Sequence, residues 1–430
     1  MKKPMPSPDQ STLHRWLWRW HGYAGLFVIP FLFFMSLTGL PYVWQHELED
    51  WLHPEYRALK PQATRVSYEQ QLGAARAACQ GKPLGSVKVD GDPHHASQFW
   101  FGEWSNPTSV LVNPYTGEVI TTIDEWTRLS FAAISLHGLT FAEPYGSWLL
   151  ELLACWGIIL CFTGVYLWWP RGRQWSVWGT FLPRLSGLGR QRWRDLHAVG
   201  GFYLSAILAL YLLTGLPWTA FWGGKLFTGI QEATGQEYPH CMLDNAGHES
   251  LPPTPDARPL PLDAFVQFAL AQNLPGPLEI SLPPGPSGTV HVRNRNGDTA
   301  LETHYQLNTY TAEVLAQAGW NTMPATQKAV SMGIDMHEGK LFGRLNQILS
   351  TTLALLFMLI SGAAAMMWWR RRPQGRLDLP QWVRTPRLPG VVKFSLATAA
   401  LFMPMFGITV LAFALAERGF TRRNARAVSA

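Results

Sequence analysis

The chain has 430 residues, a formal net charge of +6 and a mean hydropathy of -0.01. Only 15% of its residues are charged, against roughly 25% in an ordinary soluble domain. These values exclude a disordered chain, a collagen-like chain and a basic protein that coats nucleic acid. A hydropathy near zero in so weakly charged a chain predicts that apolar and polar segments alternate.

Five long, almost charge-free runs follow one another along the chain. Each comes close to or exceeds the roughly 20 apolar residues that cross a bilayer core. Many of the 21 Trp residues lie at the ends of these runs, as at a membrane–water interface. The pattern predicts an integral membrane α-helical bundle with transmembrane helices at 23–44, 148–170, 196–224, 345–369 and 394–416.

The basic residues predict the orientation of this bundle. Segments 1–22, 171–195 and 370–393 hold 17 Lys and Arg residues and three acidic residues, whereas loops 45–147 and 225–344 hold 14 basic and 24 acidic residues. The positive-inside rule therefore places the first three segments in the cytoplasm and the two long loops on the other side. The basic tail, 417–430, disagrees with five crossings, and Pro404 marks a place where the last run could kink or turn back.

An internal duplication underlies this arrangement. His21-Gly-Tyr-Ala-Gly25 recurs 176 residues later as His197-Ala-Val-Gly-Gly201, and Trp168-Trp169 recurs as Trp368-Trp369. The loop sequence Asn113–Val119 recurs as Asn308–Val314. The chain is thus predicted to hold two helix–domain–helix units, each with a small α+β domain in its long loop. Within these loops the patterns predict helices at 67–79 and 261–272 and strands at 86–89, 98–101, 109–112, 118–121, 278–282, 289–293 and 303–307.

The duplication arranges four of the thirteen histidines in two pairs, His21 with His197 and His137 with His337. A single interfacial His is more often a hydrogen-bonded residue than a ligand. Two symmetric pairs instead favour two haem irons, each with two axial imidazoles from opposite faces. No Cys-x-x-Cys-His motif is present, so the haems would be b-type. The two sites would lie near opposite faces of the bilayer, an arrangement suited to electron transfer across it.

Three other features leave alternatives open. Glu151 lies inside the second span, where a carboxylate is a functional candidate, although a hydrogen-bonded role fits equally well. Cys79 and Cys241 lie in the two long loops, and whether they pair is not decided by the sequence. No dinucleotide or phosphate-binding glycine motif is present, so an electron donor would have to be a separate molecule.

Several motifs together resemble the PepSY-associated transmembrane family over about residues 12–416. They are the two His-x-x-x-Gly helix starts, Leu136-His137-Gly138, the Thr-Gly-x-x-x-Trp-Trp-Pro end of the second span and the Asn113–Glu118 turn. The resemblance implies two periplasmic PepSY-like domains, at 45–147 and 225–344, in the inner membrane of a bacterium. It also implies a ferric-siderophore reductase of the ferrioxamine-reductase kind, with two b-type haems on the paired histidines. The second turn departs from the pattern as Asn308-Thr-Tyr-Thr-Ala-Glu313.

The leading hypothesis is a transmembrane diheme oxidoreductase that reduces a ferric siderophore in the periplasm. Its electrons would come from a cytoplasmic flavoprotein or a quinol, and no nucleic acid is expected as a partner. The alternative is a membrane-anchored PepSY protein that restrains a periplasmic peptidase, which would not require paired histidines. A transporter is a third reading, but the spans offer few polar residues at mid-membrane.

Overall fold

The computed structural model of the protein describes residues 8–54, 58–103, 105–170, 176–184, 189–234, 248–283, 285–295, 297–372 and 388–429. The chain divides into two compact units. The helical unit comprises Met1–Leu37, His137–Leu226 and Thr352–Ala430, and the sheet unit comprises Thr38–Leu136 and Phe227–Thr351.

Four helices in the described part of the chain are long and apolar enough to cross a bilayer. Helices suit these sequences because every backbone group finds its partner within the same segment, as hydrocarbon surroundings require. The first four predicted spans are therefore confirmed as candidate membrane helices. They are α1 (Pro8–Val43), α5 (Tyr145–Trp168), α6 (Arg190–Gly215) and α10 (Arg344–Arg371).

The predicted fifth span, 394–416, is instead divided between two helices. Helix α11 covers Gly390–Phe402 and α12 covers Pro404–Ser429. Met403 between them has φ -126° and ψ 75°, outside the helical region. Pro404 accounts for the break, because proline has no N–H to donate and excludes helical geometry at the preceding residue. The segment 394–416 is therefore not one continuous helix, and a fifth membrane span there stays a prediction.

Contacts of α11 and α12 show that they form a hairpin. The carbonyl of Phe402 accepts a hydrogen bond from Trp222 Nε1 at 3.0 Å, beyond the C-terminal end of α6. Phe406 packs on Trp156 in the middle of α5, and Phe413 packs on Trp20 near the start of α1. Helix α12 thus runs back towards the end of the helical unit where α1 begins.

The sheet unit contains one eight-stranded antiparallel sheet within the described residues, in the order β4-β3-β2-β1-β5-β6-β7-β8. Strands β1 and β5 join the two repeats, with Val87 opposite Ile280. The two predicted α+β modules are therefore halves of one sheet rather than separate sheets. The strands are Leu84–Val89, Ser97–Phe101, Thr108–Val112, Val119–Asp124, Leu278–Ser281, Val290–Asn294, Thr303–Leu307 and Val314–Gly319.

Helices α3 (Tyr68–Ala78) and α8 (Leu262–Ala271) pack on one face of this sheet and close its core. An acidic side chain of each helix accepts hydrogen bonds from backbone N–H groups in the first turn of the other helix. Asp263 accepts hydrogen bonds from the backbone N–H groups of Tyr68 and Glu69 at 2.8 and 2.9 Å. Glu69 accepts one from Leu262 at 3.0 Å. These bonds satisfy helix-terminal donors and place negative charge where the helix dipole favours it.

The remaining helices are short connectors: α2 (Gln45–Leu52), α4 (Leu129–Gly138), α7 (Thr228–Thr234) and α9 (Ala325–His337). Both predicted helices of the modules and all seven predicted strands are present, with ends shifted by a few residues. Strand β8 was not predicted, although Glu313-Val314 repeats the start of β4. Cys79 is buried beneath α3, and Cys241 lies outside the described residues.

Candidate functional site: a cavity between two histidines

His21 and His197 face each other inside the helical unit. Each lies in the N-terminal part of its helix, α1 and α6, two helices that begin at the same end of the unit. Their ring centroids are 6.3 Å apart, with an angle of 62° between the ring planes. The structure therefore brings together the first pair of histidines that the duplication predicted.

The Nδ1 atoms of both rings are held by acceptors on neighbouring helices. His197 Nδ1 lies 3.1 Å from the carbonyl oxygen of Ile360, which can only accept. His21 Nδ1 lies 2.9 Å from Thr163 Oγ1, and that hydroxyl donates its own hydrogen to the carbonyl of Ile159 at 2.8 Å. Both rings therefore carry their hydrogen on Nδ1. The lone pair is left on Nε2, the form in which a neutral imidazole binds a metal.

Glycines keep the space beside these rings open. Gly25 and Gly201 each lie one turn after their histidine, on the same helix face, and a Cβ atom added to either would meet no atom within 4 Å. There is less space at Gly164 of α5, where an added Cβ atom would lie 3.3 Å from His21 Cε1. Side chains at these positions would occupy or narrow the space next to the imidazoles.

This space is part of a cavity of about 1300 Å³ lined by α1, α5, α6 and α10. Its volume exceeds the roughly 300–1,000 Å³ usual for ligand pockets. Apolar side chains form much of its lining, and Trp168 stacks on Phe202 at a centroid distance of 3.7 Å. The cavity can therefore hold a large, mostly apolar ligand between two nitrogen donors.

The donor set fits a haem iron. Two imidazoles that share one metal through bonds of about 2.0–2.1 Å, as histidine-bound ions do, have centroids a little over 6 Å apart. The separation of His21 and His197 matches that spacing. Among the described residues no group of three or more His, Cys, Asp or Glu side chains could hold a metal ion. A site with two protein ligands is compatible with that finding, because a porphyrin supplies the other four nitrogens.

The second predicted pair is divided between the two units. His137 belongs to the helical unit, where its Nδ1 lies 3.0 Å from the carbonyl oxygen of Met35. The chain turns directly after it, because Leu139 has φ 49°. His337 is the last residue of α9 in the sheet unit and is followed by Gly339 at φ 80°. Pairing of His137 with His337 stays a prediction.

Glu151 has a structural partner in the helical unit. It is fully buried, and its Oε2 accepts hydrogen bonds from the backbone N–H groups of Phe221 and Trp222 at 2.7 and 3.4 Å. These bonds satisfy donors in the irregular segment that follows α6. The hydrogen-bonded role that the sequence left open for Glu151 is therefore present.

Sequence reasoning did not predict that Thr163 and Ile360 hold the two imidazoles, although Thr163 stands in the Thr-Gly motif of the second span. A signal was available for Thr163, whereas a backbone carbonyl such as that of Ile360 has none in the sequence. Thr163-Gly164 in the second span corresponds to Ser361-Gly362 in the fourth. The repeat therefore pointed to the helical turn, in each of these two helices, that lies beside an imidazole.

A profile of the family described as "PepSY-associated TM region" matches residues 18–371. The matched segment includes all four predicted histidines, the whole sheet, α5, α6 and α10, and α1 from residue 18 onward. No curated protein matches the chain significantly.

Proposed function

The chain belongs to the PepSY-associated transmembrane family, and we propose that it is a membrane oxidoreductase that carries electrons across the bilayer on two b-type haems. His21 and His197 would hold one haem, and His137 and His337 the other. The substrate would be Fe(III) bound by a siderophore on the periplasmic side of a bacterial inner membrane. A cytoplasmic flavoprotein or a quinol would supply the electrons.

The facing pair of imidazoles in the cavity carries this proposal. A core histidine with no ligand role would have no need for an open, glycine-lined space beside its ring. Here both rings have their Nδ1 atoms fixed by Thr163 and Ile360, and both are followed by a glycine that faces open space. The same arrangement on two repeated helices supports a ligand that both halves share.

When bound, a haem iron supplies reversible one-electron exchange between Fe(III) and Fe(II). The protein's own residues do the remaining work. Thr163 and Ile360 orient the rings and keep Nε2 unprotonated, which raises the basicity of the ligand nitrogen. The apolar part of the cavity wall would limit the access of water to a bound haem and so would favour the iron state of lower charge.

Reduction of the substrate would release its iron from the siderophore. Siderophores bind iron through hard oxygen donors, which hold Fe(II) more weakly than Fe(III). Each siderophore-bound Fe(III) would take up one electron, so a donor that releases two electrons would serve two iron ions.

A visible spectrum of the purified full-length protein tests the proposal. We expect a reduced-minus-oxidised difference spectrum of b-type haem and a haem-to-protein ratio near two. His21→Ala or His197→Ala is expected to lower that ratio to near one, because each removes a histidine that would hold the same haem. His14→Ala, seven residues before His21 on the same helix, is the matched control and should leave the ratio unchanged.

A wild-type protein with no haem after expression with ample haem supply would contradict the proposal. So would a ratio that none of the four histidine substitutions changes. Either result would favour the regulatory alternative, in which the sheet unit binds a peptidase and the histidines have no ligand.

A further inference from the structure

The charged side chains that line the cavity all have the same sign. All charged residues in it are arginines, and among the lining residues described there is no Asp or Glu. They belong to the turns of α1, α6 and α10 at the end of the helical unit where α1 and α6 begin. They are Arg15, Arg19, Arg190, Arg194 and Arg371.

The acidic residue of α6 does not neutralise all of these arginines. Asp195 is fully buried and is held by Arg184, whose Nε and Nη2 atoms donate to it at 2.6 and 3.0 Å. These hydrogen bonds raise the pKa of the Arg184 guanidinium above its usual range. Arg194 also contacts this carboxylate, at 3.5 Å. Asp195 is therefore engaged by Arg184, which does not line the cavity, and by Arg194, which does.

Arg190 and Arg371 line the cavity from two neighbouring helices, α6 and α10. Arg190 is the first residue of α6 and Arg371 the last of α10. Partial burial and the positive charge of Arg190 lower the pKa of the Arg371 guanidinium. Arg371 also lies over Trp18, with 4.6 Å from its guanidinium carbon to the ring centroid. Both side chains are exposed. Two like charges at one opening favour a ligand that brings negative charge to it.

The rest of the lining is apolar, apart from the two imidazoles, the amide of Gln191 and a few hydroxyl groups. The cavity therefore suits a ligand with a large apolar body and an anionic group at one edge. A b-type haem has that form, since its two carboxylates project from the same edge of the ring. Arginine suits a carboxylate because its planar guanidinium can donate two parallel hydrogen bonds.

We propose that Arg190 and Arg371 bind the carboxylates of the haem held by His21 and His197, and so fix which edge of the ring faces the opening. The inference rests on the proposed function, because it concerns the ligand of the same cavity. It assigns to these two arginines the recognition of the ligand's charge, a task separate from that of the histidines.

A haem whose carboxylates are blocked provides the first test and requires no substitution. The full-length protein, expressed without haem and held in lipid nanodiscs, is titrated with haem and with haem dimethyl ester while the spectrum is recorded. Hydrogen bonds to a charged group typically change an affinity by about tenfold or more. We expect the ester to bind at least about tenfold more weakly than haem, with the same bis-imidazole spectrum.

Substitution of the two arginines provides the second test. The double variant Arg190→Gln with Arg371→Gln should bind haem and its dimethyl ester with equal affinity, because the groups that distinguish them are gone. Arg192→Gln is the matched control. Arg192 is exposed on the same helix, lies over Trp193 and does not line the cavity, so this variant should keep the wild-type preference.

The outcomes separate this inference from the proposed function. If wild-type protein binds no haem, the proposed function fails and this inference fails with it. If it binds both haems equally well, the function stands and the assignment of the arginines is wrong. The assignment is also wrong if the double variant keeps the preference, or if it loses co-purified lipid phosphorus while its haem affinity is unchanged. That last result would identify an acidic lipid headgroup as the ligand of the arginines.

Discussion

His21 and His197 occupy equivalent positions in the two repeats, yet different atoms hold their Nδ1 nitrogens. For His21 the acceptor is the hydroxyl of Thr163 on α5. For His197 it is the backbone carbonyl of Ile360 on α10. The residue of α10 that corresponds to Thr163 is Ser361, one position further along the chain.

The Ser361 hydroxyl shows how far the two halves have diverged. It is 3% exposed, lines the cavity and has no hydrogen-bond partner within the described part of the chain. The second repeat thus keeps a hydroxyl at the equivalent position but holds its imidazole through the main chain. A side-chain acceptor can be removed by one substitution, whereas a carbonyl of the helix backbone cannot. The two halves therefore reach the same ring tautomer with different tolerance to mutation.

The largest effect is expected where the two halves are alike, at the glycines beside the imidazoles. Gly201→Leu should abolish most haem binding at the His21–His197 site, because the new side chain would fill space that a Cβ atom enters without contact. Gly362→Leu is the control, since its Cβ would also meet no atom and it does not line the cavity. The haem-to-protein ratio of the purified variants measures this. Equal ratios in both would place the ligand elsewhere.

A smaller effect is expected where the halves differ. Thr163→Val removes the acceptor of His21 while keeping the shape of the side chain, and should weaken haem binding about 10- to 100-fold, as loss of such supporting hydrogen bonds does at metal sites. Ser361→Ala should change it little, because the Ile360 carbonyl still holds His197. Titration of the two variants with haem measures and compares their haem affinities. A larger loss in Ser361→Ala would show that this hydroxyl contacts the ligand.

Repetition explains which parts of this site could be predicted from the sequence. The pairing of His21 with His197 followed from the constant offset of 176 residues, and so did the glycines one turn later. The Ile360 carbonyl could not be predicted in this way, because every residue has a carbonyl and its direction depends on helix packing. The joined sheet was missed for a related reason, since no feature of β1 or β5 specifies that each pairs with the other.

The helical hairpin of α11 and α12 has no counterpart in either repeat. A substitution there measures a contribution to stability that does not depend on the duplication. A Cβ atom on Gly407 of α12 would lie 2.9 Å from Ala400 Cβ of α11. Gly407→Leu should therefore destabilise the protein by about 1–3 kcal/mol through overpacking. Gly390→Leu, whose Cβ meets no atom within 4 Å, is the control. Thermal unfolding in detergent measures both, and equal melting temperatures would contradict the close approach of α11 and α12.

The smallest effect is expected at the reciprocal caps of the sheet unit, where the two repeats again differ. Asp263 accepts two backbone hydrogen bonds from the first turn of α3, and Glu69 accepts one from α8. Asp263→Ala should therefore cost about 1–2 kcal/mol and Glu69→Ala about half as much, within the usual range for loss of a helix cap. Removal of either carboxylate also relieves repulsion from the other, which keeps both values modest. Denaturant unfolding of the full-length protein compares the two variants. If Glu69→Ala lowered the free energy of unfolding more than Asp263→Ala, the prediction would be wrong. The contribution of these caps would then depend on the negative charge at the N-terminal end of α8 rather than on the number of backbone N–H groups that each carboxylate satisfies.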